Sequence, residues 1–154
     1  HNISLIHLAY GEVDEALLIL KDVFKSQRKA LGDDHMDVAL TLESIGDAYE
    51  RKGRLDRGIK LYQKVLRIRR NAYGKSHLYV AFTLDRIGKS LMSHGKDLKE
   101  AMRRFHEALN LYHLNGLLIE DERVILARTN LQKIRDRLEL LDATQDTVVC
   151  PTHS

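Results

Sequence analysis

A single cysteine, a single proline and no tryptophan occur among these 154 residues, and aromatics reach only 6%. One thiol, Cys150, excludes an intrachain disulfide framework and fits a reducing compartment, so a cytoplasmic location is the expectation. With so little proline, and with Leu, Ala, Arg, Lys and Glu abundant, few residues interrupt helices. No apolar run approaches the ~20 residues of a membrane span, and the opening residues do not read as a secretory leader. An excess of either charge is missing too. The 25 basic and 22 acidic side chains leave a net +3, which gives no general pull toward nucleic acid or membrane. The chain starts at His1 and turns helical at once through Ile3, Leu5, Ile6 and Leu8, as a piece of a longer protein would.

Glycine is sparse but regular. Gly11, Gly53 and Gly95 stand 42 residues apart, and so do Gly32, Gly74 and Gly116. Between His35–Gly46 and His77–Gly88 the same residue recurs at His35/His77, Val38/Val80, Ala39/Ala81, Thr41/Thr83, Leu42/Leu84, Ile45/Ile87 and Gly46/Gly88. A fixed period of roughly 20–50 residues marks stacked structural units, and such arrays serve mostly as binding surfaces.

Inside each period the apolar spacing is helical. Val38, Leu42, Ile45 and Tyr49 form one stripe; after Gly53 a second runs through Ile59, Tyr62, Val65, Leu66 and Ile68 to Tyr73. Val80, Leu84, Ile87 and Leu91 restart the pattern, and Ala101, Phe105, Ala108, Leu109 and Tyr112 complete it beyond Gly95. Each unit is thus expected to be an αα-hairpin, and the fold class an all-α solenoid. Gly46 and Gly88, inside helices at equal phase, predict close approach of a neighbouring helix. The first unit keeps only part of its leading helix, about residues 3–10, followed by a complete helix over 13–31. A stripe of Val124, Ala127, Leu131, Ile134, Leu138 and Leu141 predicts one closing helix over 120–141. The array therefore covers 1–141, and 142–154, with Pro151, is expected to be a loose tail.

The pattern resembles the tetratricopeptide repeat (TPR). Leu42, Ile45, Gly46, Tyr49, Gly53, Gly58, Tyr62 and Val65 meet its Leu, apolar, small, Tyr, Gly, Ala, aromatic, Ala order, entirely or nearly. Leu84, Ile87, Gly88, Leu91, Gly95, Ala101, Phe105 and Ala108 repeat the order. The period of 42 and the segments GDDHMDVALTL and GKSHLYVAFTL look like the long repeats of kinesin light chains. That variety usually carries an Asn pair where this chain has Glu43-Ser44 and Asp85-Arg86, so the resemblance is adopted for the repeat and not for its cargo. It implies that leading helices line a concave face holding a peptide or helix of another protein.

On that face the residues off the packing stripe are Glu43, Asp47, Glu50 and Arg51, then Asp85, Lys89 and Met92. Glu43, Asp47 and Glu50, at i, i+4 and i+7, form an acidic patch suited to a basic segment, or else an ordinary solvated helix face. Arg57, Lys60, Lys64 and Arg67 make a basic row, but Asp56 dilutes it and no stacking aromatics interleave, so nucleic acid is not the expected partner. His106 and His113 share a face about 10 Å apart, too far for one metal ion. His35 and His77, at equivalent linkers, suit a structural hydrogen bond near the next helix start. Gly74-Lys75-Ser76 and Gly88-Lys89-Ser90 lack the earlier glycine of a phosphate-binding loop. No nucleophile–base arrangement stands out, so neither catalysis nor a cofactor is expected. The second reading is self-association through the apolar edge of the shortened first helix, at Ile3, Ile6 and Leu8.

Overall fold

The computed structural model describes residues 12–148, and the expected leading helix over 3–10 and its apolar edge lie outside them. Among the described residues six helices follow one another: α1 (Val13–Leu31), α2 (Met36–Arg51), α3 (Leu55–Tyr73), α4 (Leu78–His94), α5 (Leu98–Leu114) and α6 (Glu122–Val148). There is no strand among the described residues. Each helix packs chiefly on the one before and the one after it, with a smaller contact between α4 and α6. That nearest-neighbour order defines a solenoid. The first helix boundaries agree with the apolar stripes. The last helix differs: it runs past Leu141 to Val148, through residues expected to be loose.

Helix starts and stops have identifiable causes. Nδ1 of His35 accepts the N–H of Asp37 at 3.1 Å, and Nδ1 of His77 accepts that of Tyr79 at 3.2 Å. The recurring histidines are therefore N-caps, each satisfying a backbone donor that the first helical turn leaves open. Asp97 caps α5 the same way, accepting from the Glu100 N–H at 2.8 Å. Gly74 ends α3 at φ 86° and ψ 163°, a region that side chains disfavour strongly.

The hairpins close around small residues. A Cβ on Gly46 would lie 2.6 Å from Cε1 of the fully buried Tyr62, and one on Gly88 would lie 3.1 Å from the Phe105 ring. The glycines thus make room for an aromatic ring from the partner helix. Val38, Ala39, Leu42, Val65 and Ile68 fill the α2–α3 hairpin, while Leu84, Ile87, Phe105, Ala108 and Tyr112 lead the larger cluster that reaches α6 through Val124, Ala127, Leu131 and Ile134.

Polar bridges join consecutive units at one repeated position. The Thr41 hydroxyl donates to Gln27 Oε1 at 2.6 Å, and one unit later Arg69 donates to the Thr83 hydroxyl at 2.7 Å. Gln27 and Arg69 are one period apart, as are Thr41 and Thr83, so the same bridge is made twice with different chemistry.

Candidate functional site

The leading helices α2 and α4 flank a cleft of about 560 Å³. Leu40, Glu43 and Glu50 come from α2, and Tyr79, Phe82, Asp85, Arg86 and Lys89 from α4; Arg69, Tyr112 and Arg123 reach in from α3, α5 and α6. Four of the expected residues, Glu43, Glu50, Asp85 and Lys89, therefore meet here. Asp47 stands behind the cleft, hydrogen-bonded to Arg86 and Tyr62. Arg51 is exposed but does not line the cleft, and Met92 packs partly buried against the large core cluster.

The acids are not the free patch that their spacing predicted. Glu43 is held by both terminal guanidinium nitrogens of Arg69, at 2.7 and 3.1 Å, and Arg69 is only 4% exposed. Arg86 approaches Glu43 at 3.6 Å and also pairs with Asp47. The Tyr62 hydroxyl donates toward Asp47 at 2.6 Å and toward Glu50 at 3.1 Å, and the Ser90 hydroxyl donates to Glu50 as well. Asp85 is paired with Lys89 at 2.6 Å. The reason is the stacking itself: α3 and α4 bring arginines against the acids of α2, which a reading of α2 alone cannot include.

Electrostatics follow from this network. Burial, and then the nearby Asp47 carboxylate, push the Tyr62 phenol far above the usual tyrosine range. Tyr112 is raised by burial and by Asp85. For Arg86 burial pulls the guanidinium down, but Asp47 and Glu43 outweigh it and the net shift is upward. Lining acids and cations balance: Glu43, Glu50 and Asp85, with Asp47 behind them, face Arg69, Arg86, Lys89 and Arg123.

An apolar wall completes the cleft. Tyr79 and Phe82 meet edge to face at 5.9 Å between centroids, and Phe82 lies 6.0 Å from Tyr112. Arg123 sits over the Phe82 ring at 4.4 Å and Arg69 over Tyr79 at 5.6 Å. Leu40 and Tyr79 remain 44% and 45% exposed. Sequence reasoning passed over this wall. A signal existed: Tyr79, Phe82 and Arg86 follow i, i+3 and i+7, and Arg69 falls on the stripe of Tyr62, Val65 and Leu66, where a charge must be buried and paired.

Elsewhere the basic row is partly engaged, Arg67 with Asp34 at 3.1 Å and Arg57 over the Tyr49 ring at 5.4 Å. No group of three His, Cys, Asp or Glu among the described residues is placed to hold a metal ion. No helix among them is long and apolar enough to cross a membrane.

Profiles of the tetratricopeptide repeat match residues 37–113 and, separately, 1–37. The chain belongs to the tetratricopeptide repeat family. Among solved structures, the nearly identical TPR-like repeats of a Podosopora anserina kinesin-light-chain-like protein superpose with a TM-score of 0.75 at 18% identity, over 99% of this chain and 76% of that one. BtubC (BKLC) from P. vanneervenii gives 0.70 at 17% identity, over 99% of this chain and 65% of that one. The Yersinia enterocolitica type III secretion translocator chaperone SycD gives 0.65 at 16%, over 90% and 82%. At these identities the likeness is one of fold. A search of curated protein sequences finds no match.

Proposed function

We propose that this TPR chain is a noncatalytic scaffold that holds a peptide or helix of a partner protein in the cleft between α2 and α4. One observation carries the reading: the cleft combines half-exposed apolar side chains with a dense set of fixed polar groups, on the leading helices of the stack. Exposed apolar surface ringed by polar groups is typical of recognition sites. The Glu43–Arg69 and Asp47–Arg86 pairs hold the walls in place, so little ordering is left for the partner to bring about.

Photo-crosslinking from two positions tests the reading. A photoreactive residue placed at Leu40 should trap a partner that the same residue at Lys60, exposed on α3 and outside the cleft lining, does not. Equal trapping from both positions, or trapping from Lys60 alone, would rule out the cleft as the site.

A further inference from the structure

We infer that the occupant of this cleft is recognised by its apolar side chains and not by its charge; this rests on the groove-binding reading and names the chemistry of its partner. Two observations carry it. The first is that three acid–base pairs are already made within the chain at the cleft, Glu43 with Arg69, Asp47 with Arg86 and Asp85 with Lys89. A basic segment reaching for Glu43 would have to displace Arg69, which is 4% exposed and bonded to both oxygens of that carboxylate. An acidic segment reaching for Arg86 would have to break its pair with Asp47. The first exchange gives up a shielded pair and the second a part-buried one, each for a new pair at the solvent boundary, so little net attraction remains at these two points. A segment without charge at these points leaves both pairs intact.

The second observation is an apolar side chain at one repeated place on α2, α4 and α6, the first two lining the cleft. Leu40 and Phe82 are one period of 42 apart, and Leu40 is 44% exposed. Leu126, 43% exposed, holds the matching place on α6, where Val124 and Ala127 are buried as Val80 and Thr83 are on α4. Tyr79 widens the row beside Phe82. The partner is accordingly a segment bearing two or more aliphatic or aromatic side chains spaced along the groove, gaining its affinity from removing this row from water.

Selection of a random displayed peptide library on the whole chain, followed by synthesis of the enriched peptides, tests this. Fluorescence anisotropy would then give each affinity at about 0.05 and 0.5 M salt. Enriched peptides should share apolar residues at spaced positions, and their Kd should change less than about threefold over that range. Leu40→Ser with Leu126→Ser, both at exposed sites and checked for unchanged helicity, should weaken binding at least about tenfold. Peptides whose affinity falls tenfold or more with salt, and which bind the double variant as well as the parent chain, would overturn the inference while leaving the groove reading intact. A library that yields no peptide sensitive to any cleft substitution would overturn both.

Discussion

At the scale of single residues, the glycine repeat separates two positions that look equal in the chain. Gly46 and Gly88 are one period apart, yet an added methyl meets Tyr62 at 2.6 Å in one case and Phe105 at 3.1 Å in the other. Alanine improves helix propensity by up to ~1 kcal/mol at either site. At Gly88 the Phe105 ring has only to yield a few tenths of an ångström, and the two effects should nearly cancel. Both rings are fully buried, but at Gly46 the ring is closer and its hydroxyl is tied to Asp47 and Glu50, so it cannot move aside cheaply. Gly46→Ala should therefore lose about 1–2 kcal/mol more than Gly88→Ala in urea unfolding. Equal midpoints would show that the Tyr62 ring adapts. Arg69 gives the complementary case. Arg69→Ala takes from Glu43 its two-pronged partner and should cost about 2–4 kcal/mol, whereas Arg69→Met with Glu43→Leu should recover most of that loss. A double variant as unstable as the single one would mean that the pair contributes net stability.

At the scale of elements, the histidine caps are the local device that starts each leading helix. His77→Ala removes the acceptor for the Tyr79 N–H and also a ring stacked on Tyr73 at 4.4 Å, so a loss of about 1–2 kcal/mol is expected. His77→Asn supplies another acceptor and should restore the capping part; hydrogen exchange at the first turn of α4 would read this directly. Here the limits of sequence reading also become physical. The stripes of α1 to α5 were legible because each is bounded by glycine and repeats once. The end of α6 was not, because its apolar stripe stops near Leu141 while the helix continues: 142–148 holds no glycine or proline, and Pro151 is the first true breaker. The cleft was half legible for a related reason. A helical wheel of α2 shows that Glu43, Asp47 and Glu50 leave the packing stripe, but not that Arg69 and Arg86 arrive there from other helices. Burial of a charge is a property of the stack.

At the scale of the whole molecule, two buried phenols tie stability to alkaline pH. Tyr62 and Tyr112 are 0% and 1% exposed, one in each complete hairpin, and both are raised well above the ordinary tyrosine value near 10. A raised folded-state value means that the folded protein keeps the proton after the unfolded chain has lost it. Stability from these groups is full below about pH 10 and declines above it, by about 1.4 kcal/mol per pH unit for each phenol. Because every unit leans only on its neighbours, ionising Tyr62 should loosen α2, α3 and α4 together. Tyr62→Phe gives up the bonds to Asp47 and Glu50, so it should begin about 1–2 kcal/mol less stable at neutral pH. It should then fall less steeply than the parent chain between about pH 10 and 11.5, since one of the two ionisations is gone. Urea unfolding across that range, with phenolate absorbance followed on the same samples, measures both slopes. Parallel decline of the two proteins would show that Tyr62 ionises as readily in the fold as outside it, and that the Asp47–Tyr62–Glu50 network is open to water.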